Sequence, residues 1–490
     1  MEYSRKLHVN FQHLQSMKST QFICLFMAFL YTQACASNNN NTPAANKATG
    51  VQETVIAAHP ALPDSFIVGK VIDTVICATD ATQSYALYIP ATKSKTALPV
   101  IYFFDPHASG SLPLYKYQSL ANTYGFILIG SNNSKNGNDW QQTETIWQTL
   151  FDDTRKRLNT DPQRIYTVGF SGGAKVAGYV ALQHPGIKGV IANGAGLPDG
   201  APADNYNFSF TALAGEGDMN MTELVAINAA FDKTTTRHRI ILFNGKHEWA
   251  PVKTMDIAFA GLQFDAMFNK LLPADETLIN GFKNDSKNVV EGYCNANNLV
   301  KAVAQCTLTM NLLQGIDSAV SWFEKKGTSI STLATYQQQM QAQQELLETE
   351  QQIKAQYMQQ FQQGNMHYWT NTILGLQANA KAPTAKGAMY QRLLAYLSLA
   401  FYSYSNQLIK NNQNEAAQYF VTLYKMADAT NSEAWYFSAI LQARKNELAA
   451  TESELQKAVS CGFTDKNRLR QQSEFKQVHV DYVKIEKGMR

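Results

Sequence analysis

A serine framed by glycines stands between an apolar run and a stretch with helical character. Residues 164–168 lead into Gly169-Phe170-Ser171-Gly172-Gly173, and the residues that follow fit a helix ending near His184. In a strand-to-helix turn with this GxSxG pattern, the glycines let strand and helix approach closely while the serine projects from a strained bend. The pattern therefore predicts that Ser171 is a nucleophile, with an ordinary Gly/Ser turn as the alternative.

A serine hydroxyl needs a base at neutral pH, and that base is usually oriented by an acid. Candidates follow two later apolar runs: Asp218 and Glu216 come just after residues 207–215, and His247 comes after residues 239–243. The chain order serine, acid, histidine is the one expected when the serine lies on such a strand-to-helix turn. We expect His247 to be the base and Asp218 the acid, because Asp218 lies two residues beyond Glu216 and clears the strand end. Glu216 stays open as the alternative acid.

The negative charge that forms on an attacked carbonyl oxygen requires nearby N–H donors. The N–H of Gly172, directly after the serine, is one candidate. The other should come from the loop 105–111 after an earlier apolar run, where His107 and Ala108 are the expected donors because Pro106 has no N–H. The His107 side chain could instead contact the substrate or simply be exposed.

Polar and aromatic residues near these loops are candidates for substrate contact. Asn132 and Asn133 lie in the polar segment 131–137 that follows another apolar run, and Trp249 lies two residues beyond His247. Residues beyond strand ends often contact ligands, although turn chemistry alone favours the same composition. We therefore expect these three side chains near the mouth of the site, with a purely structural role as the alternative.

The elements that would carry these residues alternate between short apolar runs and helical stretches. The runs are residues 84–89, 99–104, 126–130, 164–168, 189–192, 208–214 and 239–243. Several of them (VIYFF, FILIG, IYTVG) are almost entirely apolar, which is typical of strands covered by helices on both faces. We predict an α/β domain with a doubly wound, mainly parallel sheet, whose functional groups gather beyond the carboxyl ends of the strands.

Segments within residues 64–272 resemble the α/β-hydrolase family, and more closely its polyhydroxybutyrate depolymerase and feruloyl-esterase-like branch. They are PVIYFFDPHASGS, GFILIGSNNSKNG, DPQRIYTVGFSGGA, AGEGDMN and FNGKHEWAP. The resemblance implies a serine esterase in which Ser171, His247 and Asp218 hydrolyse a carboxylic ester through an acyl-enzyme, without a cofactor. The ester could be carbohydrate-linked or polymeric. Acyl transfer to a sugar or an amine would use the same residues and stays open.

The second half of the chain has a different composition, in which Gln, Ala, Leu and Tyr dominate and strand-like runs stop. Apolar residues fall at helical spacing in residues 333–361, and Asn414-Glu415, Leu423 and Lys425 recur 32 positions later. We predict an all-α helical-repeat domain over 276–490, with tetratricopeptide-like repeats around 390–475. It would either pack as a scaffold or bind a protein partner. A non-enzymatic binding lipoprotein that uses these repeats is the competing functional class.

The first 60 residues resemble a bacterial export and anchoring signal. A compact apolar run over residues 22–31 precedes Cys35, which an Asn-, Thr- and Ala-rich stretch follows. We predict a signal peptide over 1–34, with Met17 as an alternative start, a lipid anchor on Cys35 and a polar spacer over 35–60. The protein would be exported and anchored to a membrane, on the periplasmic side or at the cell surface, or else secreted.

The amino-acid composition argues against nucleic-acid binding and against a structural metal site. The chain has 42 Lys and Arg against 39 Asp and Glu, a net charge of +3, so no basic surface predicts nucleic-acid binding. The 6 cysteines show no CxxC spacing, and we expect no structural metal. With 490 residues and 45% hydrophobic side chains, the chain should fold as about two or three domains. The catalytic one is expected over 61–275.

Overall fold

A computed structural model of the protein describes residues 66–91 and 96–489. The predicted signal peptide, the Cys35 anchor and the spacer over 35–60 lie outside the described residues and stay predictions. Within the part described, no helix is both long enough and apolar enough to cross a membrane.

The first part of the chain forms an eight-stranded sheet. Its strands are β1 (Ile72–Ile76), β2 (Ser84–Tyr88), β3 (Leu98–Phe104), β4 (Ile127–Ser131), β5 (Thr160–Phe170), β6 (Ile187–Asn193), β7 (Ser209–Gly215) and β8 (His238–Phe243). Their order across the sheet is β1-β2-β4-β3-β5-β6-β7-β8. Only β2 runs antiparallel to its neighbours, and the pairs from β4 to β8 are parallel. The carboxyl ends of β3 to β8 therefore meet at one edge, as the sequence predicts.

Helices cover both faces of the sheet. They are α1 (Ser111–Tyr124), α2 (Trp140–Arg157), α3 (Gly172–Gln183), α4 (Met221–Phe231) and α5 (Val252–Phe268). Along β3, Val100, Tyr102 and Phe104 enter a hydrophobic core shared with α2, α3 and α4, whereas Ile101 and Phe103 enter a second core shared with α1 and α5. A strand buried on both faces needs an apolar residue at every position, which explains the run VIYFF. The predicted α/β class is confirmed.

The rest of the described chain is helical. It contains α6 (Glu276–Asn295), α7 (Leu299–Leu313), α8 (Ser321–Ser331), α9 (Ala334–Gln363), α10 (Met366–Asn379), α11 (Ala385–Lys410), α12 (Asn414–Ala427), α13 (Ser432–Arg444), α14 (Leu448–Ser460), α15 (Lys466–Gln471), α16 (Ser473–Gln477) and α17 (Tyr482–Glu486). The predicted all-α character of this region is confirmed. Its kinship with tetratricopeptide repeats stays a prediction.

Contacts divide the described residues into two compact units. The unit with the sheet comprises residues 66–350, apart from 92–95, together with 376–395; the other comprises 351–375 and 396–489. Helices α6, α7 and α8 thus belong with the sheet, although the sequence predicted a domain boundary after residue 275. One reason lies directly before β8, where Arg237 donates to the carbonyl oxygen of Leu312 in α7 at 3.1 Å. Composition does not reveal such distant contacts, and independent folding of 61–275 stays a prediction.

Candidate active site

Ser171 occupies a sharp turn between β5 and α3. Its backbone lies at φ 54° and ψ −122°, a region that non-glycine residues rarely adopt. A Cβ on Gly169 would lie 1.9 Å from the carbonyl oxygen of Gly173, and one on Gly173 would lie 2.0 Å from that of Phe104. Only glycine fits at these two positions, so the close approach of helix and strands depends on them. This is the strained strand-to-helix turn that the GxSxG pattern predicts.

A hydrogen-bonded chain runs from Ser171 to a buried carboxylate. The Oγ of Ser171 lies 2.9 Å from Nε2 of His247, and Nδ1 of His247 lies 3.0 Å from each carboxylate oxygen of Asp218. Asp218 is fully buried, whereas the His247 side chain is 22% exposed. With the proton on Nδ1, the imidazole donates to Asp218 and accepts from the serine hydroxyl. The residue predicted as base is therefore within hydrogen-bond distance of both the predicted nucleophile and the predicted acid.

The loop after β7 turns Asp218 toward His247 and Glu216 away from it. The backbone N–H of Asn220 donates to Oδ1 of Asp218 at 2.9 Å, and the N–H of Asp218 donates to the carbonyl of Gly215. The side chain of Glu216 forms an ion pair with Lys301 in α7. The structure thus brings Asp218 rather than Glu216 to the imidazole, because the turn after Gly215 reverses the direction of successive side chains.

Asn193, at the end of β6, joins the nucleophile turn to the histidine loop. Its carbonyl accepts the N–H of Ser171 at 2.8 Å. Its side-chain amide donates to the carbonyl of Glu248 at 3.1 Å and accepts the N–H of Ala250 at 2.7 Å. This fully buried residue is not among those predicted from the sequence. The available signal was a polar residue closing an otherwise apolar strand.

The predicted N–H donors of the loop after β3 are already engaged. The N–H of His107 donates to Oδ1 of Asp105 at 2.9 Å, and the N–H of Ala108 donates to the carbonyl of Asp105 at 3.1 Å. Asp105 follows a buried strand and folds the chain back on itself, as aspartate often does in turns. Both N–H groups are therefore directed at Asp105 in this structure, and the oxyanion role of His107 and Ala108 stays a prediction. The His107 side chain is 79% exposed.

Asp105 itself is held as an anion. Burial raises its pKa, but hydrogen bonds from His107 and from Nε1 of Trp249, at 2.9 Å for the latter, outweigh burial and hold the pKa below its usual range. Trp249 is buried and its ring packs against Phe170 and Phe103. Trp249 thus packs beneath the site, and its expected substrate contact stays a prediction.

Gly172 carries the N–H that follows the nucleophile, in the first turn of α3. The first N–H groups of a helix have no partner within it, and the helix dipole places partial positive charge there. The exposed side chain of Asn136 lies directly against this position, because a Cβ on Gly172 would be 1.9 Å from Oδ1 and 3.5 Å from Nδ2 of Asn136. The Asn136 amide makes no hydrogen bond to any described residue. Its backbone N–H is anchored on the carbonyl of Pro106 at 2.9 Å.

Asn132 and Asn133 serve the sheet edge instead of the mouth of the site. Asn132 donates to the carbonyl of Asp73 at 3.0 Å, and Asn133 accepts the N–H of Ser84 at 2.8 Å while donating to the carbonyl of Thr82. Their amides are thus committed to β1 and to the start of β2. These hydrogen bonds give both residues a structural role, and their expected substrate contact stays a prediction.

No group of three or more His, Cys, Asp or Glu side chains among residues 66–91 and 96–489 could hold a metal ion. The groups that converge on Ser171 are a hydroxyl, an imidazole, a carboxylate and N–H donors. Such an arrangement can generate an oxygen nucleophile, hold the imidazolium that forms and stabilise negative charge on an attacked oxygen.

Comparison with known proteins gives structural likeness without sequence likeness. No protein-family model matches the sequence, and no curated protein matches it. An esterase from the hyperthermophilic archaeon Pyrobaculum calidifontis is 12% identical with a TM-score of 0.33, covering 42% of this chain and 88% of its own. A thermostable carboxylesterase from a metagenomic library is 13% identical (TM-score 0.34, coverage 41% and 90%), and an S-formylglutathione hydrolase from Staphylococcus aureus is 10% identical (TM-score 0.32, coverage 39% and 97%).

At such identities and TM-scores, these likenesses carry no argument about this chain. The fold class rests on the chain itself: a mainly parallel, doubly wound sheet, a nucleophile turn at the end of β5, and loops after β7 and β8 that carry the acid and the histidine. This is the α/β-hydrolase fold, followed by a helical region.

Proposed function

We propose that this protein is a serine esterase that hydrolyses a carboxylic ester through an acyl-enzyme. The observation that carries the proposal is the hydrogen-bonded chain Ser171–His247–Asp218, built on a strained turn at the carboxyl edge of the sheet. Storing strain at a single serine and burying a carboxylate behind a histidine both cost stability. Chemistry at Ser171 accounts for both features, whereas a binding platform needs neither.

The reaction follows from the geometry. Oγ of Ser171 attacks the ester carbonyl carbon while His247 takes its proton at Nε2, and the carbonyl oxygen becomes an oxyanion. His247 then returns the proton to the leaving alcohol as the C–O bond breaks, which leaves an acyl group on Ser171. Water attacks this acyl group with His247 as base, and the carboxylic acid and free serine are regenerated. Throughout, Asp218 holds the imidazole tautomer and stabilises the imidazolium.

The oxyanion would be held by the N–H of Gly172 and by the side-chain amide of Asn136. With the His107 and Ala108 N–H groups committed to Asp105, the Asn136 side-chain amide lies against Gly172 without a partner among the described residues. Its Oδ1 is the atom nearer to Gly172, so rotation of the amide about its Cβ–Cγ bond would bring the Nδ2 donor to the oxyanion. An amide on a side chain can fill this role as well as a backbone N–H. The neighbouring N-terminus of α3 adds partial positive charge.

Labelling with a fluorophosphonate probe tests the proposal directly. The wild type should react at Ser171 and hydrolyse a short activated ester, and Ser171→Ala should do neither while keeping its melting temperature. Product analysis with an added sugar or amine acceptor then separates hydrolysis from acyl transfer. A wild type that neither reacts with the probe nor turns over the ester faster than Ser171→Ala would overturn the proposal and favour the non-enzymatic binding class.

We further propose that the protein is exported and anchored to a membrane through an acylated Cys35. The support is the sequence order of apolar run, cysteine and polar spacer. Lipid chains contribute about 0.8 kcal/mol per buried CH₂, and two or more chains give stable attachment. Metabolic labelling with a palmitate analogue should mark the wild type and leave Cys35→Ala unmarked. The Cys35→Ala protein should either retain its signal peptide or be found in the soluble fraction. A wild type without label would leave only an ordinary signal peptide.

A further inference from the structure

A buried arginine from the helical region reaches the loop that carries Asp218. Arg392 lies in α11 and is 4% exposed, and Glu350 lies in α9 and is 1% exposed. Nε and Nη2 of Arg392 donate to Oε2 of Glu350 at 2.8 and 2.6 Å. Nη1 donates to the backbone carbonyl of Glu216 at 2.6 Å, across 176 positions of the chain.

The loop that carries His247 contacts the same acid loop from its other side. The N–H of Gly217 donates to the carbonyl of Gly245 at 2.8 Å. The side chain of Gln391, next to Arg392 on α11, lies so close to Gly217 that a Cβ there would be 2.2 Å from its Oε1. Residues 216 and 217 are therefore held between α11 and the histidine loop, and Asp218 is the next residue.

The buried ion pair between Arg392 and Glu350 is better explained by positioning than by stability. Taking two charges out of water usually costs as much as their attraction returns, so a buried ion pair is a weak source of stability. Glu350 fixes the guanidinium plane through two of its N–H groups, and a third donor is left to point at a main-chain carbonyl. A pair of apolar side chains could fill the same space and would still lack the bond to Glu216.

We propose that Arg392, oriented by Glu350, is a positioning residue for Asp218. By fixing the carbonyl of Glu216 it fixes the turn from which the carboxylate faces Nδ1 of His247. The inference rests on the proposed esterase function. It adds that segments of α9 and α11 complete the active site, so the catalytic machinery does not end with the sheet and its own helices.

The test uses the full-length protein. Arg392→Met alone leaves Glu350 as an unpaired buried charge, which by itself destabilises a protein. The informative variant is therefore Arg392→Met/Glu350→Leu, which removes the bond to Glu216 without burying a charge. Lys301→Met is the matched control, since it breaks the partly exposed ion pair to the side chain of the same Glu216. Each variant is compared with the wild type in melting temperature, kcat, KM and rate of fluorophosphonate labelling.

We expect the double variant to keep its melting temperature within a few degrees and its KM within about twofold. Its kcat and labelling rate should fall by about 10- to 100-fold, because small displacements of catalytic groups cause losses of that size. Lys301→Met should match the wild type. Should the double variant fail to fold, Arg392→Gln/Glu350→Gln gives the same comparison. This pair is neutral, and the glutamine at position 392 is too short to reach the Glu216 carbonyl. A folded variant of either kind with wild-type kcat overturns the inference. A wild type no more reactive than Ser171→Ala overturns the esterase proposal itself.

Discussion

Replacing Asp218 by Asn probes how the buried acid acts. The N–H of Asn220 donates to Oδ1, so the amide oxygen of the variant keeps that place and the NH₂ group takes the position of Oδ2. Both positions lie 3.0 Å from Nδ1 of His247, so Nδ1 faces one acceptor and one donor in the variant where it faced two acceptors in the wild type. A donor there favours the tautomer whose Nδ1 accepts and whose Nε2 carries the proton. Nε2, 2.9 Å from Oγ of Ser171, then has no lone pair to take the serine proton.

The analogous change in serine proteases lowers kcat by about 10⁴, which corresponds to about 5.4 kcal/mol of activation free energy. We expect a loss of that size for Asp218→Asn with a nearly unchanged melting temperature, because the side chains have the same shape and the Asn220 bond survives. Steady-state hydrolysis of a short activated ester measures it. Glu216→Gln is the matched control and should cost less than about threefold, since only its Lys301 pair is lost. A loss of kcat under tenfold for Asp218→Asn would refute the tautomer argument. So would a loss of kcat for Glu216→Gln that exceeds the loss for Asp218→Asn.

Three further outcomes are expected. Ser171→Ala and His247→Ala should each abolish most of kcat, and the double variant should be no slower than either, because they act as one unit; independent, multiplying losses would contradict this. Asn136→Ala should lower kcat by about 10²- to 10³-fold with KM little changed, the effect of removing one oxyanion donor, whereas an unchanged kcat would return that role to the loop after β3. Asp265→Asn should lower the free energy of unfolding by about 3 kcal/mol at pH 7, because Asp265 is fully buried between Arg239 and Arg237. Burial raises the pKa of Asp265 but the two arginines outweigh it and lower the pKa, so wild-type stability should be lost as pH falls below about 4 through that lower value. Urea unfolding between pH 7 and pH 3 should show this loss in the wild type and a smaller one in the variant.

The sequence predicted the sheet well because its strands are buried on both faces. The runs expected at 99–104 and 239–243 correspond to β3 (Leu98–Phe104) and β8 (His238–Phe243). The missed strand is β1, with sequence IDTVI, of which only Val75 is buried. An edge strand that exposes most of its residues carries no apolar run, so the sequence pattern does not predict it.

The candidate site was predictable where chemistry fixes both residue type and chain order, as it does for Ser171 and His247. Asp218 was preferred over Glu216 on offset alone, and the structure shows the turn responsible. Whether the His107 N–H is free depends on the rotamer of Asp105 two residues away, which composition does not encode. Arg392 could not be found at all, because nothing local to it or to Glu216 marks a contact 176 positions distant.

That separation also governs the order in which the site is completed during synthesis. A ribosome adding about 5 to 20 residues per second needs about 10 to 35 s to travel from Glu216 to Arg392. Ser171, Asp218 and His247 all emerge well before the end of that interval. During it, the sheet can assemble while the acid loop still lacks its guanidinium support. Full catalytic competence of the nascent chain should therefore lag behind formation of the sheet, and ester hydrolysis should reach its full rate only once α11 has packed against the acid loop.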